Sequence, residues 1–391
     1  MTPAARVQTA IELLDAIIDA ARNNGASADV VLAKGFRERR YAGSKDRRAI
    51  RDLVYRAIRA HDRIPASGRA AILALEDSTL SDLFGADPYG PAAVTDADGI
   101  VAADVAPNWI DGAFLPFIDA AERAALLGRA PLDLRANALK ADRQEMLALY
   151  PDARPIAHTT HGFRFETPVD LERDPAYLDG RFEVQDAGSQ IISRIAVAEA
   201  ADIIVDLCAG AGGKTLSLAA DKAGSVQVIA CDTDRARLQQ LPPRAARAAA
   251  TISTRLLNPG REMEALEDLR AAADIVLVDA PCSGSGTWRR NPELRWRLTP
   301  ERLARTVALQ AQVLDVAAQL VKPGGALVYA VCSLFTREGP GQIEHFLQAH
   351  PDFAATRIDI GAGRPAGEGL ALTPLHDATD GFFVARLARS C

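Results

Sequence analysis

IIVDLCAGAGGKTLSLAA, residues 203–220, is the stretch whose reading decides the fold. An apolar run ends in Asp206, glycines follow at 210, 212 and 213, and a helical pattern begins near Lys214. Glycines let a backbone take positive φ and approach a ligand closely, and a helix start offers unpaired N–H groups. Counting excludes two familiar loops. A GxxxxGK[ST] phosphate loop needs Gly at 208, where Cys208 stands, and GxGxxG from Gly210 needs Gly at 215, where Thr215 stands. Downstream, the strand-like runs VQVIAC, ADIVLVDA and GGALVYAVC alternate with helical stretches such as ERLARTVALQAQVLDVAAQLV. This alternation implies a mostly parallel sheet with helices on both faces. Asp232 ends the next strand, where nucleotide-binding folds keep an acidic acceptor for ribose hydroxyls.

Two thiols converge on the same edge. VDAPCSGSGTW, 278–288, carries Cys282 past the fourth strand of this unit, and GGALVYAVCS, 324–333, carries Cys332 past the next. Carboxyl ends of parallel strands are where open α/β sheets bind ligands. Upstream the pattern changes. Val7, Ile11, Leu14, Ile18 and Ala21 recur at helix spacing, as do Ile50, Leu53, Val54 and Ile58, which predicts a small bundle over 1–125. Residues 126–181 read as a small α/β piece, and 182–391 as the α/β sheet domain. The expected protein is therefore multi-domain.

Composition narrows the function. The chain has 391 residues, 48% hydrophobic and 25% charged, which is ordinary for a globular protein. No run approaches the roughly 18 apolar residues of a membrane span, and MTPAARVQTAIELLDAI lacks a signal-peptide layout, so a cytoplasmic protein is expected. Five cysteines without a CxxC pair suggest reduced thiols. His158 and His161 lack companion ligands, so no metal is expected. The net charge is −6, yet Phe36–Arg63 holds ten Lys/Arg against four Asp/Glu. A second basic stretch, from Trp288 to Arg305, holds six against two, with Trp288 and Trp296. Positive charge beside aromatic rings suits phosphate contact with base stacking, the pattern of RNA grooves; a solvated helix face is the alternative.

The glycine loop resembles the S-adenosylmethionine loop of Rossmann-like methyltransferases. More specifically, PLDLRANALKADR, FEVQDAGSQ, DLCAGAGGKT, DAPCSGSGTWRRNPELRW, VYAVCS and the terminal DGFFVARL, in this order over 131–391, resemble the Sun (Fmu) family of RNA (cytosine-C5) methyltransferases. The N-terminal YAGSKDRRAIRDLVYRAIR is similar to the NusB-like helical domain of ribosomal members. The resemblance implies an RNA-binding NusB-like bundle, a small RNA-binding α/β subdomain and a Rossmann-like catalytic domain. It implies methyl transfer from S-adenosylmethionine to small-subunit ribosomal RNA or an assembly intermediate; the sequence is silent on oligomeric state, and a monomer is the working expectation.

Site residues follow from the same resemblance. Cys332 would be the nucleophile, Cys282 the thiol that assists release, Asp279 a hydrogen-bonding partner of the base, and Lys214 its support. Cys208, Ala209, Gly210, Gly212, Gly213, Lys214, Asp232, Arg237, Asn258 and Asp279 would surround the cofactor, with Gln185 to Gln190 beside the methyl donor. The segment from Asp186 also reads as a plain helix cap. Arg135, Asn137, Lys140, Arg289 and Arg290 would grip RNA. Two positions depart from the family: Val331 replaces the usual Thr before the nucleophile, and Asn258 an Asp. Methylation of an amino group is disfavoured because such enzymes use [DN]PP[YF] where this chain has DAPC. A non-catalytic RNA binder is disfavoured because both thiols and the glycine loop are kept.

Overall fold

The computed structural model describes residues 1–96, 98, 107–167, 169–197, 201–222 and 226–391. It divides into two compact units. The first comprises Met1–Phe114, Asp119–Gly128 and Thr287–Pro300. Its helices include α1 (Pro3–Arg22), α2 (Ala28–Glu38), α3 (Ser44–Ala60) and α4 (Gly68–Leu73). Thr2 starts α1 by accepting from Ala5 N–H, with Pro3 in the first turn where its missing donor costs nothing. The expected stripes are buried: Val7, Leu14 and Ile18 of α1 meet Ile50, Val54 and Ile58 of α3 in one core. Each such side chain contributes about 1.5–3 kcal/mol when removed from water.

The segment 287–300 completes this core, which the expected boundary at 182 did not foresee. Trp288 is fully buried, edge-on to Phe114 at 5.8 Å. Trp296 is buried and donates from Nε1 to the His61 carbonyl at 2.9 Å. Arg295, with no exposed surface, donates to the carbonyls of Ile58 at 2.9 Å and Arg59 at 3.2 Å, neutralising the end of α3. Glu293 accepts from the first N–H of α2 at 3.1 Å. Neither tryptophan can therefore stack on a base, and Arg289 is buried too, while Arg290 is half-buried. Aromatic and basic residues here serve as core and helix caps, because their apolar surface and donors both find partners inside the bundle.

The second unit comprises 115–118, 129–286 and 301–391. A small antiparallel sheet uses β1 (Leu132–Ala136), β2 (Arg154–Pro155), β3 (Gly162–Phe165) and β4 (Phe182–Val184), in the order β2-β3-β1-β4. β4 pairs with β1, so this sheet runs past the expected end at 181. Asp186 then caps the helix Ala187–Ala196 by accepting from Gly188 and Ser189 N–H. The large sheet begins with β5 (Ile203–Asp206), β6 (Gln227–Asp232), β7 (Ile252–Leu256), β8 (Ala273–Asp279) and β9 (Val321–Val331). It ends with β10 (Phe353–Thr356), β11 (Arg364–Ala366), β12 (Gly369–Leu372) and β13 (Phe382–Arg389). The order is β11-β12-β13-β9-β8-β5-β6-β7, with β10 on β13. β5 to β9 pair in parallel, while β10 to β13 add antiparallel strands. The chain winds outward from β5 to β7 and then returns to β8 on the opposite side of β5. The crevice at that reversal is where doubly wound sheets bind their ligands.

Candidate active site

Both flanks of the crevice supply a charged group. The helix Gly213–Asp221 follows β5 and carries Lys214, and β8 ends in Asp279. Lys214 Nζ donates to Asp279 Oδ2 at 2.7 Å and lies 5.6 Å over the Phe382 ring. Burial pulls the ammonium pKa down, but Asp279, then Cys332 and Asp206, outweigh it and the net direction is up. Lys214 thus stays charged and fixes Asp279, whose side chain is one-third exposed at 33%. Beneath them Asp206 is fully buried. One carboxyl oxygen accepts from Thr215 Oγ1 at 2.6 Å, and the other has no partner among the described residues. Burial, helped by Asp279 and Asp232 and opposed by Thr215, pushes its pKa up to about 7.

The glycine loop forms a cradle. Gly210 has φ 55° and donates its N–H to Asp232 at 2.7 Å. A Cβ there would lie 2.4 Å from the Arg237 guanidinium, whereas one on Gly213 would meet open space. Ala209 N–H is tied to the Cys231 carbonyl at 2.9 Å, and Leu257 N–H to the Asp232 carbonyl at 2.9 Å. Asn258 is exposed beyond β7, and the Cys208 thiol is pushed up by burial. The donor set is compatible with a nucleoside carrying a methyl-sulfonium group: the Asp232 oxygens accept from the Gly210 and Asp234 N–H groups at 2.7 Å each and keep further lone pairs, and Gly213 leaves room. The residues expected to hold S-adenosylmethionine thus lie along one edge running from β8 across β5 and β6 to β7.

The two thiols meet. Cys282 and Cys332 come from loops after β8 and β9, whose register sets Asp279 opposite Ala330, and their sulfurs are 3.2 Å apart. Neither is bonded in a disulfide. The Cys282 pKa is pushed well up, first by its hydrogen bond with Cys332, then by burial and by the charges of Cys332 and Glu338. Val331 is buried in β9 opposite Phe383. Cys231 is buried in β6 and Cys391 is exposed.

Other expectations need correction. Arg135 is buried and gives its Nε to Gln185 Oε1 at 2.7 Å, and Asn137 donates to the carbonyls of Gly180 and Ala248, each at 2.8 Å. Both knit the small sheet to its surroundings and neither presents a donor to RNA. Lys140 alone of the three remains on the surface, its Nζ donating to the Asp179 carbonyl at 2.6 Å. Gln190 donates to the carbonyls of Leu134 and Gln185, so the Gln185–Gln190 segment serves as a cap and tie. Both units expose basic groups; on the first unit they include Lys34, Arg37, Arg40, Lys45 and Arg48, in the sequence around Tyr41, which is 70% exposed. Sequence reading also missed Glu338, six residues beyond Cys332, because nothing in CSLFTRE marks a glutamate as buried. Among the described residues no group of three His, Cys, Asp or Glu could hold a metal, and no helix is long and apolar enough to cross a membrane.

Comparison with known proteins agrees with the fold. Residues 195–388 match the family model described as 16S rRNA methyltransferase RsmB/F. A probable ribosomal RNA small subunit methyltransferase B from Synechocystis is 33% identical over 73% of this chain and 67% of its own length. The ribosomal RNA small subunit methyltransferase B of Vibrio cholerae is 32% identical over 67% of this chain and 59% of its own length. That of Sodalis glossinidius is 32% identical over 76% of this chain and 69% of its own. Among solved structures, PH0851 superposes over 99% of both chains with a TM-score of 0.77 at 21% identity. The methyltransferase homolog protein from Pyrococcus horikoshii covers 68% of this chain and 89% of its own, with a TM-score of 0.59 at 25% identity.

Proposed function

Because the chain belongs to the RsmB/F family of S-adenosylmethionine-dependent small-subunit rRNA methyltransferases, we propose that it methylates carbon 5 of a cytosine in 16S ribosomal RNA. The observation that carries this reading is the 3.2 Å approach of the Cys282 and Cys332 sulfurs beside the Lys214–Asp279 pair. Carbon 5 of cytosine is too poor a nucleophile to be alkylated directly. The Cys332 thiolate adds to carbon 6 and leaves carbon 5 enamine-like. Asp279, steadied by Lys214, meets N3 as a carboxylic acid, passing its proton to N3 as the thiolate adds and taking it back after methyl transfer, so that no anion builds up on the ring. S-adenosylmethionine, when bound, supplies an electrophilic methyl group.

Release then needs the carbon-5 proton to leave and the sulfur–carbon-6 bond to break, its electron pair returning to Cys332. Cys282 takes that proton. Two of the causes that raise its pKa, the hydrogen bond its thiol gives to the Cys332 sulfur and that sulfur's charge, fall away once Cys332 is a thioether. Cys282 is therefore held as a thiol while Cys332 is a thiolate, and it releases its proton to solvent more readily once Cys332 is bonded to carbon 6, so the thiolate that accepts the carbon-5 proton forms only after addition.

The helical unit, expected over 1–125, binds RNA through the exposed basic face around Tyr41, and the small sheet subdomain, expected over 126–181, flanks the catalytic sheet. Phosphate contacts there position the substrate without choosing its sequence. The target base must leave its stack to reach sulfur, which favours a loop or single strand. The test is incubation of transcribed 16S ribosomal RNA and S-adenosylmethionine with wild type, Cys282→Ala and Cys332→Ala, then a denaturing gel. A covalent adduct that accumulates with Cys282→Ala and is absent with Cys332→Ala is expected. The reverse pattern overturns the thiol roles; no adduct together with unmethylated RNA in wild type overturns the substrate.

A further inference from the structure

A buried acid lies between the two thiol loops, and the scheme above does not use it. Glu338 has no exposed surface. Its Oε1 accepts from the Ser283 N–H at 2.8 Å and from Gln310 Nε2 at 3.0 Å. Its Oε2 accepts from the Ser333 hydroxyl at 2.6 Å and from the Ser283 hydroxyl. Ser283 directly follows Cys282, and Ser333 directly follows Cys332. Gln310 also donates to the carbonyl of Pro281, just before Cys282, at 2.9 Å. One carboxylate is thus bonded to the residue after each thiol and, through Gln310, to the residue before one of them. Glu338 is itself anchored to β9, because Tyr329 Oη donates to its backbone carbonyl at 2.7 Å.

All four donors are neutral groups. Burying a carboxylate costs several kcal/mol unless hydrogen bonds replace its water, and an apolar side chain would fill the same volume without that cost. What the carboxylate adds is a pair of acceptor oxygens that reach two loops at once. The loops leave different strands and share no covalent tie. Other links among the described residues include the sulfur contact itself, the Gly286 N–H to the Cys332 carbonyl at 3.0 Å, the Leu334 N–H to the Ser285 hydroxyl at 3.0 Å, and contacts among the serine hydroxyls. Two sulfurs serving adjacent atoms of one ring must be held closely, since a displacement of about 1 Å can cost about a hundredfold in rate.

We propose that Glu338 is a positioning residue that clamps the Cys282 and Cys332 loops together and so keeps the two sulfurs in contact. Its catalytic consequence rests on the two-thiol reading; its effect on sulfur proximity does not. The test therefore uses a readout that needs no RNA. The full chain, free of cofactor, is treated with diamide, and the rate of Cys282–Cys332 disulfide formation is followed by peptide mass spectrometry. Glu338→Gln keeps the size but turns an amide donor toward groups that already donate. Disulfide formation about tenfold slower than wild type is expected, with S-adenosylmethionine affinity unchanged in equilibrium dialysis and kcat lowered without a change in KM for RNA.

Ser283→Ala and Ser333→Ala each remove one donor from one loop and are expected to slow the same reaction. Should Glu338→Gln lose cofactor binding, these two decide: slower crosslinking supports the clamp, and wild-type rates overturn it. Wild-type rates in a cofactor-binding Glu338→Gln protein overturn it as well. Failure of the wild type to methylate RNA, with slowed crosslinking in the variants, would sink the methylation reading and leave the clamp standing.

Discussion

Asp206 makes the stability of the sheet unit depend on pH in a direction opposite to an ordinary salt-bridged carboxylate. Its carboxyl is fully buried, with one oxygen unpartnered among the described residues, and its pKa stands at about 7 against 3.8 for a solvated carboxyl. Between those values the folded chain holds a proton that the unfolded chain has released. The contribution is fully present below about pH 4 and is lost as pH rises to about 7, beyond which the cost is constant. A shift of about three units at about 1.4 kcal/mol each amounts to about 4 kcal/mol, of which about 3 kcal/mol is lost between pH 5 and pH 9. Asp206→Asn removes the titration, keeps an oxygen for Thr215, and contributes an offset independent of pH. The assay is urea unfolding of both proteins at pH 5, 7 and 9, followed by circular dichroism. Labelling of Cys231, buried in β6, identifies the transition of the sheet unit, since Trp109, Trp288 and Trp296 all belong to the helical unit. Wild type should lose about 3 kcal/mol relative to the variant from pH 5 to pH 9, most of it by about pH 7. A difference that stays constant across this range, or grows in favour of wild type, would refute the reasoning.

Lys214→Met should lower methyl transfer by about a hundredfold in single turnover, because Asp279 loses the charge that fixes it. Since that carboxyl is partly exposed, the stability loss should be only about 1–2 kcal/mol, read from urea midpoints. Gly286→Ala places a Cβ 1.9 Å from the Gly381 carbonyl oxygen, a backbone atom that cannot turn aside. A thermal shift equivalent to about 2–3 kcal/mol is expected, whereas Gly213→Ala, facing open space, should stay within about 0.5 kcal/mol; equal effects would contradict the packing. Replacing Arg37, Arg40 and Arg48 together by Glu should weaken RNA binding and flatten its log–log salt dependence by about 2, at about 0.7 per lost phosphate contact. An unchanged slope in filter binding would remove the basic face from the interface.

The α/β reading was available in residues 203–232 because its signals are local: an apolar run, glycines at fixed spacing and an acidic strand end must be neighbours in sequence to act together. The stripes of α1 and α3 were legible for the same reason. The thiol pair could be placed at one sheet edge from the strand pattern, yet their contact depends on the register of β8 against β9, which no local spacing encodes. Arg135 and Arg295 look in sequence like phosphate ligands and are core donors in the fold. A guanidinium offers the same five donors to a phosphate and to a helix end, and only the surrounding backbone decides which it meets. Trp288 and Trp296 were misplaced on the same grounds. Glu338 is the extreme case, since its four partners are brought in by Ser283, Ser333 and Gln310 from three separate segments. The sequence by itself determined the βα order, the glycine loop and the family, which rest on short-range pattern. Tertiary structure alone decided which polar groups are buried and which face solvent, because burial is a property of what packs above a side chain, and that neighbour comes from elsewhere in the chain.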